Sequence, residues 1–443
     1  MEHKGIPVFR PTIEEVRHGF GNYISAIEPL CVNYGLAKII PPKEWNPRES
    51  GWFEESVKNL MIPTPIYQHI DGGKGLFQQA NVVTKRKSVV EFRARAEKAL
   101  LARGTANTDD EIERRFWKNI RFDAPIYGAD MNGTLFPKDM MEWNVAHLGK
   151  KTLLKYLGTE IDGVNIPYLY FGMWKAMFSW HTEDMDLFSI NYLHYGDPKR
   201  WYVIPESERA RFEQFAQSHF RELHDGCKQF LRHKTTMISP SIVKSSGIPV
   251  YTGVQRENEI MITLPGAYHM GFNYGFNCAE SVNFAVESWI KRGLKATVCN
   301  CKADSVKINM EVFLNNFRIF GEKDKQNPYP FPTPTFTFEE LVQYVPNGPY
   351  RLTLPPVTTS PVHESLPSNK YKPNSKKSLK KKKKRKKLAN NPAPSKKLCT
   401  TNTNSTCSTF LPSFSYANLS ANDLLPVTCL PPSLISSYSS IVK

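Results

Sequence analysis

Apolar positions recur through residues 1–320 in short runs whose spacing changes along the chain. Near the N-terminus the run PTIEEV (11–16) reads as a helix start, and apolar residues continue the helix through Ile24 and Ile27. GLAKIIPP (35–42) follows as a short strand. Residues 109–117 (DDEIERRFW) predict a helix with an acidic first turn, and 207–219 predict another. Strand-like runs lie at 167–172 (PYLYFG), 187–193 (LFSINYL), 201–204 (WYVI), 260–264 (IMITL) and 281–286. Gly, Pro or Asp bounds several of them. So many short strands between residues 160 and 290 predict an all-β barrel or jelly roll with helices packed outside. There is no internal repeat.

After about residue 325 the pattern dissolves into Pro, Ser and Thr, and residues 376–387 (KKSLKKKKKRKK) hold ten basic residues in twelve. Such a segment buries too little apolar surface to offset its ordering entropy, so 326–443 is expected to be disordered, with a short helix at 338–344.

Composition sharpens this division. The chain is 443 residues with 40% hydrophobic and 12% aromatic residues, enough for a sizeable core, so a wholly disordered protein is excluded. The formal net charge is +16, of which +13 falls in residues 361–443. The basic character therefore belongs to the tail. No apolar run of membrane-spanning length occurs, no membrane partner is expected, and the N-terminus lacks the apolar core of a secretory signal. Eight cysteines are too sparse for a disulfide scaffold, so clustered thiols read first as metal ligands.

The sharpest local signal is His181-Thr182-Glu183. On a strand, residues i and i+2 share a face, and a His and a carboxylate so placed supply two neighbouring ligands of a 2-His-1-carboxylate triad that leaves positions on Fe(II) open. Spacing alone carries little. With 11 His and 42 acids, one such pair is expected by chance, and a second, His69-Ile70-Asp71, runs into a glycine-rich turn and reads as a solvated loop tip. A buried His satisfied by a nearby carboxylate is the bland alternative. His269, after the run IMITLPGAY, is the candidate third ligand, since a barrel brings distant strands together.

These residues sit in longer blocks. FGMWKAMFSWHTEDMDLFSINYLHYGDPKRWY (171–202) and ITLPGAYHMGFNYGFNCAESVNFA (262–285) resemble the two halves of the JmjC domain of histone lysine demethylases. IPVFRPTIEEV (6–16) with GLAKIIPPKEW (35–45) resembles the JmjN segment, and KNIRFDAPIYGADMNGTLF (118–136) resembles the stretch between. The resemblance is to the lysine-specific demethylase 4 subfamily, in a short form without reader domains, and covers about residues 6–320. It implies a mainly β fold with surrounding helices: a double-stranded β-helix (jelly-roll, cupin-like) JmjC barrel with an N-terminal JmjN segment. The expected divisions are 6–48 JmjN, 49–140 a mixed α/β region packing on the barrel, 141–302 the JmjC barrel with a zinc site, 303–325 a C-terminal helix, and 326–443 the tail.

The resemblance assigns His181, Glu183 and His269 to Fe(II), and Tyr127, Phe178, Asn191 and Lys199 to 2-oxoglutarate. Without it, Lys199 in GDPKRW would read as a solvated turn lysine and Tyr127 as a core tyrosine. It places Gly163, Tyr170, Ser281 and Asn283, with Glu183 and nearby Tyr168, around a methylated lysine, and Asn81 and Asp130 along a histone tail. It also implies Zn(II) held by Cys227, His233, Cys299 and Cys301. From spacing alone that set is no standard finger, and reduced core cysteines beside a surface His fit equally well. Cys278 reads as a packed core thiol. Three positions depart from the family: Met270, expected to point away from the metal, Tyr274, and Val282.

The implied activity is O₂- and 2-oxoglutarate-dependent demethylation of di- and trimethyl-lysine on histone H3, at lysine 9 or lysine 36, with formaldehyde release. The alternatives are a protein hydroxylase on the same barrel and a catalytically weak chromatin-binding scaffold. The basic run suggests nuclear localisation and nonspecific DNA contact beside nucleosome and histone H3 binding.

Overall fold

The computed structural model describes residues 4–47, 57–106, 108–301 and 305–324. The expected tail at 326–443, its basic run and the helix expected at 338–344 lie outside the described residues. Among the described residues no helix is long and apolar enough to cross a membrane.

Two sheets face each other. A five-stranded sheet runs in the order Lys4–Gly5, Tyr251–Gln255, Lys199–Ile204, Tyr268–Asn273 and Met177–His181. A ten-stranded sheet centres on Tyr168–Gly172, Asn277–Phe284, Phe188–Gly196 and Ile260–Thr263. Its far side continues through Ile126–Asn132 into the hairpin Ile66–Gly73/Leu76–Val83, and its near side ends in Leu36–Ile39 and Val8–Phe9. The result is a jelly-roll barrel, mainly β with helices outside. The N-terminal segment is part of it: Leu36–Ile39 pairs antiparallel with Ile260–Thr263, and Val8–Phe9 pairs parallel with Leu36–Ile39.

The strand period decides what faces where. In Tyr268–Asn273, Tyr268, Met270 and Phe272 enter an outer core with Tyr202, Trp180, Phe116 and Phe212. The alternate residues, His269, Gly271 and Asn273, face the barrel interior. Phe116 stacks on Phe272 with centroids 3.8 Å apart, fixing the helix Asp109–Asn119 to the sheet. On the other sheet Ile190, Tyr192, Val282 and Phe284 pack outward against Phe20, Ile24 and Trp143. The inward faces carry polar residues beside a smaller apolar cluster of Leu36, Trp201, Val203 and Met261. Burial of each large outward side chain contributes roughly 1.5–3 kcal/mol, so the site rests on two apolar walls.

Several expected elements shift. The single N-terminal helix is two, Ile13–Arg17 and Phe20–Cys31, divided at Gly19 with φ 101°. Thr12 and Glu15 close the first with a reciprocal capping box. The strand expected at 281–286 is Asn277–Phe284, because its outward residues continue the apolar wall back to Cys278. His69 and Asp71 are not in a loop tip. They lie on the hairpin strand Ile66–Gly73, and only Lys74 and Gly75 make the turn. His69 is half-buried there, and burial lowers its pKa.

Candidate active site

The strand Met177–His181 ends at His181, directly opposite His269 in the antiparallel register. Glu183 is therefore not on that strand, as the i, i+2 argument assumed. It stands two residues past the strand's end, in extended backbone (φ −62°, ψ 151°), and opens a turn of 3₁₀ helix. After Asp184, Met185 and Asp186 both adopt positive φ (53° and 50°), a backbone costing roughly 1–3 kcal/mol per residue. That turn swings the Glu183 carboxylate back over the two imidazoles. The ligand atoms of His181, Glu183 and His269 all lie within 4.8 Å of one another.

Hydrogen bonds fix how each group points. Ring Nδ1 of His181 is 2.7 Å from the Ser179 carbonyl, and that of His269 is 3.2 Å from the Ala267 carbonyl. A carbonyl only accepts, so both Nδ1 atoms donate and each Nε2 turns inward with its lone pair. Nε2 of His269 then faces Glu183 Oε1 at 3.2 Å. Two acceptors at that distance require a proton or a metal cation between them, and two imidazoles with one carboxylate are the donor set of a facial divalent-metal site. Asn283 donates to the other carboxylate oxygen at 3.0 Å and to the Phe188 carbonyl at 3.0 Å. Burial would raise the Glu183 pKa, but the His269 hydrogen bond and the His269, His181 and Lys234 charges hold it well below the usual range. Burial, then His269 and Lys234, push His181 well down. A neutral imidazole and an ionised carboxylate are the states that ligate metal.

Next to the triad lies a buried ammonium. Lys199 is no turn lysine: it begins the strand Lys199–Ile204 and is 1% exposed. Its ammonium donates to Asn273 Oδ1 and sits 5.8 Å from the Tyr127 ring centroid. Burial pushes its pKa down to about 7, with no carboxylate partner among the described residues. Burial also raises Tyr127, so it remains a neutral donor. Phe178 lies 6.3 Å from His181 and 6.4 Å from His269, ring to ring, and 4.8 Å from Trp201. Its ring occupies the space above Gly271, where an added Cβ would meet Phe178 at 2.5 Å. Asn191 faces inward on Phe188–Gly196, with its side-chain oxygen accepting from Gln255 at 3.1 Å.

The mouth is lined by tyrosines. Tyr170 lies 6.1 Å from Tyr127 and 6.4 Å from Tyr168, and its phenol hydrogen-bonds Asp130. Gly163 has φ 74°, and an added Cβ would come within 2.3 Å of the Tyr168 ring, so only glycine lets the loop lie there. Ser281 donates to the Ile190 carbonyl at 2.9 Å. Asn81 accepts from Gln79 at 2.7 Å, and Ser179 donates to Gln79 at 2.7 Å, which ties the rim to the residue that orients His181.

A second cluster forms where the 3₁₀ turn Phe230–His233 meets residues 299–301. Cys227, His233, Cys299 and Cys301 offer four donor atoms within 4.8 Å of one another, including Cys227 Sγ to Cys299 Sγ at 3.7 Å and His233 Nε2 to Cys299 Sγ at 3.2 Å. Desolvation, then the neighbouring thiols, push Cys227 up to about 12, so a cation is needed to hold these sulfurs as thiolates together. Three thiols and an imidazole are the donor set of a closed tetrahedral metal site.

Comparison with known families places these residues in a wider set. The model of the JmjC domain, described as a hydroxylase, matches residues 168–284, and that of the JmjN domain matches residues 7–41. Lysine-specific demethylase 4B of Mus musculus is 49% identical over 314 residues, 70% of this chain and 28% of that protein. Lysine-specific demethylase 4D of Rattus norvegicus is 44% identical over 312 residues, 70% of this chain and 60% of that protein. The chain belongs to the JmjN/JmjC lysine-specific demethylase 4 subfamily. Probable lysine-specific demethylase 4F of Homo sapiens is 43% identical over 314 residues, 70% of this chain and 48% of that protein. The chain thus spans between 28% and 60% of the length of these relatives.

In this JmjC barrel, sequence reasoning missed the residues that hold the ligands in place. Asn273 grips Lys199, donates to the Ala176 carbonyl at 2.7 Å and accepts from Asn277 at 2.9 Å. The period of two was its signal, since it lies four residues after His269 on the same strand. Gln79, Gln255, Asp186, Arg232 and Lys234 gave no such signal. Their roles come from loops and long-range pairing.

Proposed function

We propose that the chain is an Fe(II)- and 2-oxoglutarate-dependent demethylase of di- and trimethylated lysine on histone H3, acting at lysine 9 or lysine 36 in the nucleus. The observation that carries this reading is the pairing of an inward His/Glu/His set with a buried ammonium that has only neutral partners. His181, Glu183 and His269 would hold Fe(II), which supplies O₂ activation at the expense of 2-oxoglutarate when bound. The Lys199 ammonium and Tyr127 phenol bind the distal carboxylate of the cosubstrate, and a dry pocket makes that charge-assisted contact strong. Phe178 packs against its carbon chain and Asn191 hydrogen-bonds it. Asn283 keeps the Glu183 carboxylate oriented while the cosubstrate enters.

At the mouth, Tyr170, Gly163 and Ser281 shape an oxygen-lined hole for a methylated ammonium, which has no N–H to donate in its trimethyl form and is held by C–H···O and aromatic contacts. Asn81 and Asp130 contact the flanking peptide. Hydroxylation of an N-methyl carbon gives a carbinolamine that releases formaldehyde and leaves the lysine one methyl shorter. This route consumes no amine lone pair, so trimethyl-lysine is a substrate. Cys227, His233, Cys299 and Cys301 would hold a structural Zn(II). The basic run at 376–387 supports nuclear import and nonspecific DNA contact on the nucleosome.

Mass spectrometry of a trimethylated H3 peptide after incubation with the chain, Fe(II), 2-oxoglutarate and ascorbate tests the reading. Successive losses of one CH₂ support it. A stable gain of one oxygen assigns a protein hydroxylase, and an unchanged peptide assigns a scaffold.

A further inference from the structure

Arg232 reaches from the segment of one cluster to that of the other. Arg232 immediately precedes His233 of the Cys/His cluster, in Phe230–His233, yet its guanidinium reaches toward the triad. Nη1 donates to the backbone carbonyl of Glu183 at 3.2 Å, and Nη2 pairs with Asp186 Oδ1 at 2.8 Å. Both Arg232 and Asp186 are 7% exposed. Arg209 takes the other Asp186 oxygen at 2.6 Å and reaches Glu213 at 2.9 Å. Tyr268, the neighbour of His269, donates to that same Glu213 oxygen at 2.9 Å. The chain of contacts Arg232–Asp186–Arg209–Glu213–Tyr268 thus starts at the backbone of the triad carboxylate and ends beside its second imidazole.

The turn it grips is the left-handed Met185–Asp186 pair, a backbone that persists only when its surroundings hold it. Trp289 Nε1 adds one more hold, donating to the Met185 carbonyl at 3.0 Å. Beside the Cys/His cluster lies a pocket of about 170 Å³ lined by Asp184, Met185, Arg232, His233, Cys299 and Val306.

The geometry points to Arg232 as a positioning residue that ties the order of the Cys/His cluster to the placement of Glu183 in the triad. This rests on the reading of both clusters as metal sites. An occupied Cys/His cluster fixes His233 and so the preceding residue. Arg232 then holds the Glu183 carbonyl and Asp186 at once, and the carboxylate meets the imidazoles. A planar guanidinium holds two acceptors in a fixed fork, whereas a lysine presents a compact charge on a flexible stem.

The test is anaerobic titration of the full chain with Fe(II) and 2-oxoglutarate, following the charge-transfer absorption that reports the triad alone, with zinc counted by elemental analysis. Arg232→Met is expected to weaken Fe(II) binding about tenfold or more while zinc stays at one per chain. Arg232→Lys restores only part of the loss, and Asp186→Asn follows Arg232→Met. Cys301→Ser, which opens the cluster, weakens Fe(II) binding in the same direction, and adding Arg232→Met to it causes little further loss. Joint loss of zinc and Fe(II) in Arg232→Met also supports the coupling. Wild-type Fe(II) affinity in Arg232→Met overturns the proposal, as do effects of Arg232→Met and Cys301→Ser that simply multiply. If Arg232→Met does not fold, wild-type affinity in Arg232→Lys and Asp186→Asn overturns it. Absorption that survives His181→Ala would instead sink the metal reading itself.

Discussion

The His/Glu/His triad and the Cys/His cluster sit on either side of one short segment, and they differ in what they leave open. The triad gathers three ligands inside the barrel, beside a pocket with a buried ammonium. The Cys/His set gathers four ligands, and the pocket beside it is lined by Asp184, Arg232 and Lys234. A fourth ligand closes a tetrahedral site and makes it a staple, whereas a missing one leaves room for substrate. Ligand count, rather than the presence of a metal, separates chemistry from scaffold.

The strongest way to break that contrast is to remove one ligand from each site. His181→Ala is expected to drop peptide demethylation to background while zinc stays at one per chain. Loss of zinc as well would show that the two sites are not functionally distinct. Cys299→Ser is expected to strip zinc and lower the unfolding midpoint by several degrees, at roughly 2–4 °C per kcal/mol, as read by a thermal melt. An unchanged midpoint would mean that the cluster staples nothing.

Beside the triad, Lys199→Met removes the buried cation proposed to bind the cosubstrate carboxylate. The KM for 2-oxoglutarate is expected to rise about 10- to 100-fold, with a smaller change in KM for peptide. The pH dependence follows from the same burial. Lys199 titrates near 7 in the free protein, and a bound carboxylate raises its pKa, so cosubstrate binding takes up a proton above pH 7. Apparent affinity for 2-oxoglutarate is therefore expected to fall by up to about tenfold per pH unit above 7, measured by calorimetry in buffers of different ionisation heat. A flat profile from pH 7 to 9 would show that Lys199 stays charged. The smallest effect belongs to the mouth. Gly163→Ala, at φ 74° and against Tyr168, is expected to cost about 1 kcal/mol of stability and to raise KM for the peptide but not for 2-oxoglutarate.

The two sites also differ in how legible they were. The barrel announced itself through short bounded strands, and the period of two placed His269 inward and Met270 outward. Met270 is fully buried among Tyr202 and Phe272, so its departure from the family falls on the wall and not on the metal. Tyr274 joins the same wall and Val282 the opposite one, which leaves Ser281 and Asn283 facing in. Glu183 does meet the two imidazoles, but strand spacing is not what brings it there. The strand stops at His181, and a left-handed turn delivers the carboxylate, which no local pattern signals because Met and Asp rarely adopt positive φ. Lys199 illustrates the opposite limit. Its neighbours Gly, Asp and Pro read as a turn, and only the tertiary fold shows that the turn ends one residue earlier, leaving the ammonium inside. The Cys/His set was opaque to spacing, since Cys227 and Cys299 come from segments joined only in the folded chain.

The most direct test of the central claim is to measure succinate and formaldehyde together in one reaction with a trimethylated H3 peptide. The account predicts one formaldehyde for each succinate formed in excess of peptide-free controls, both abolished by His181→Ala. Peptide-stimulated succinate with no formaldehyde, or neither product above control, would contradict it.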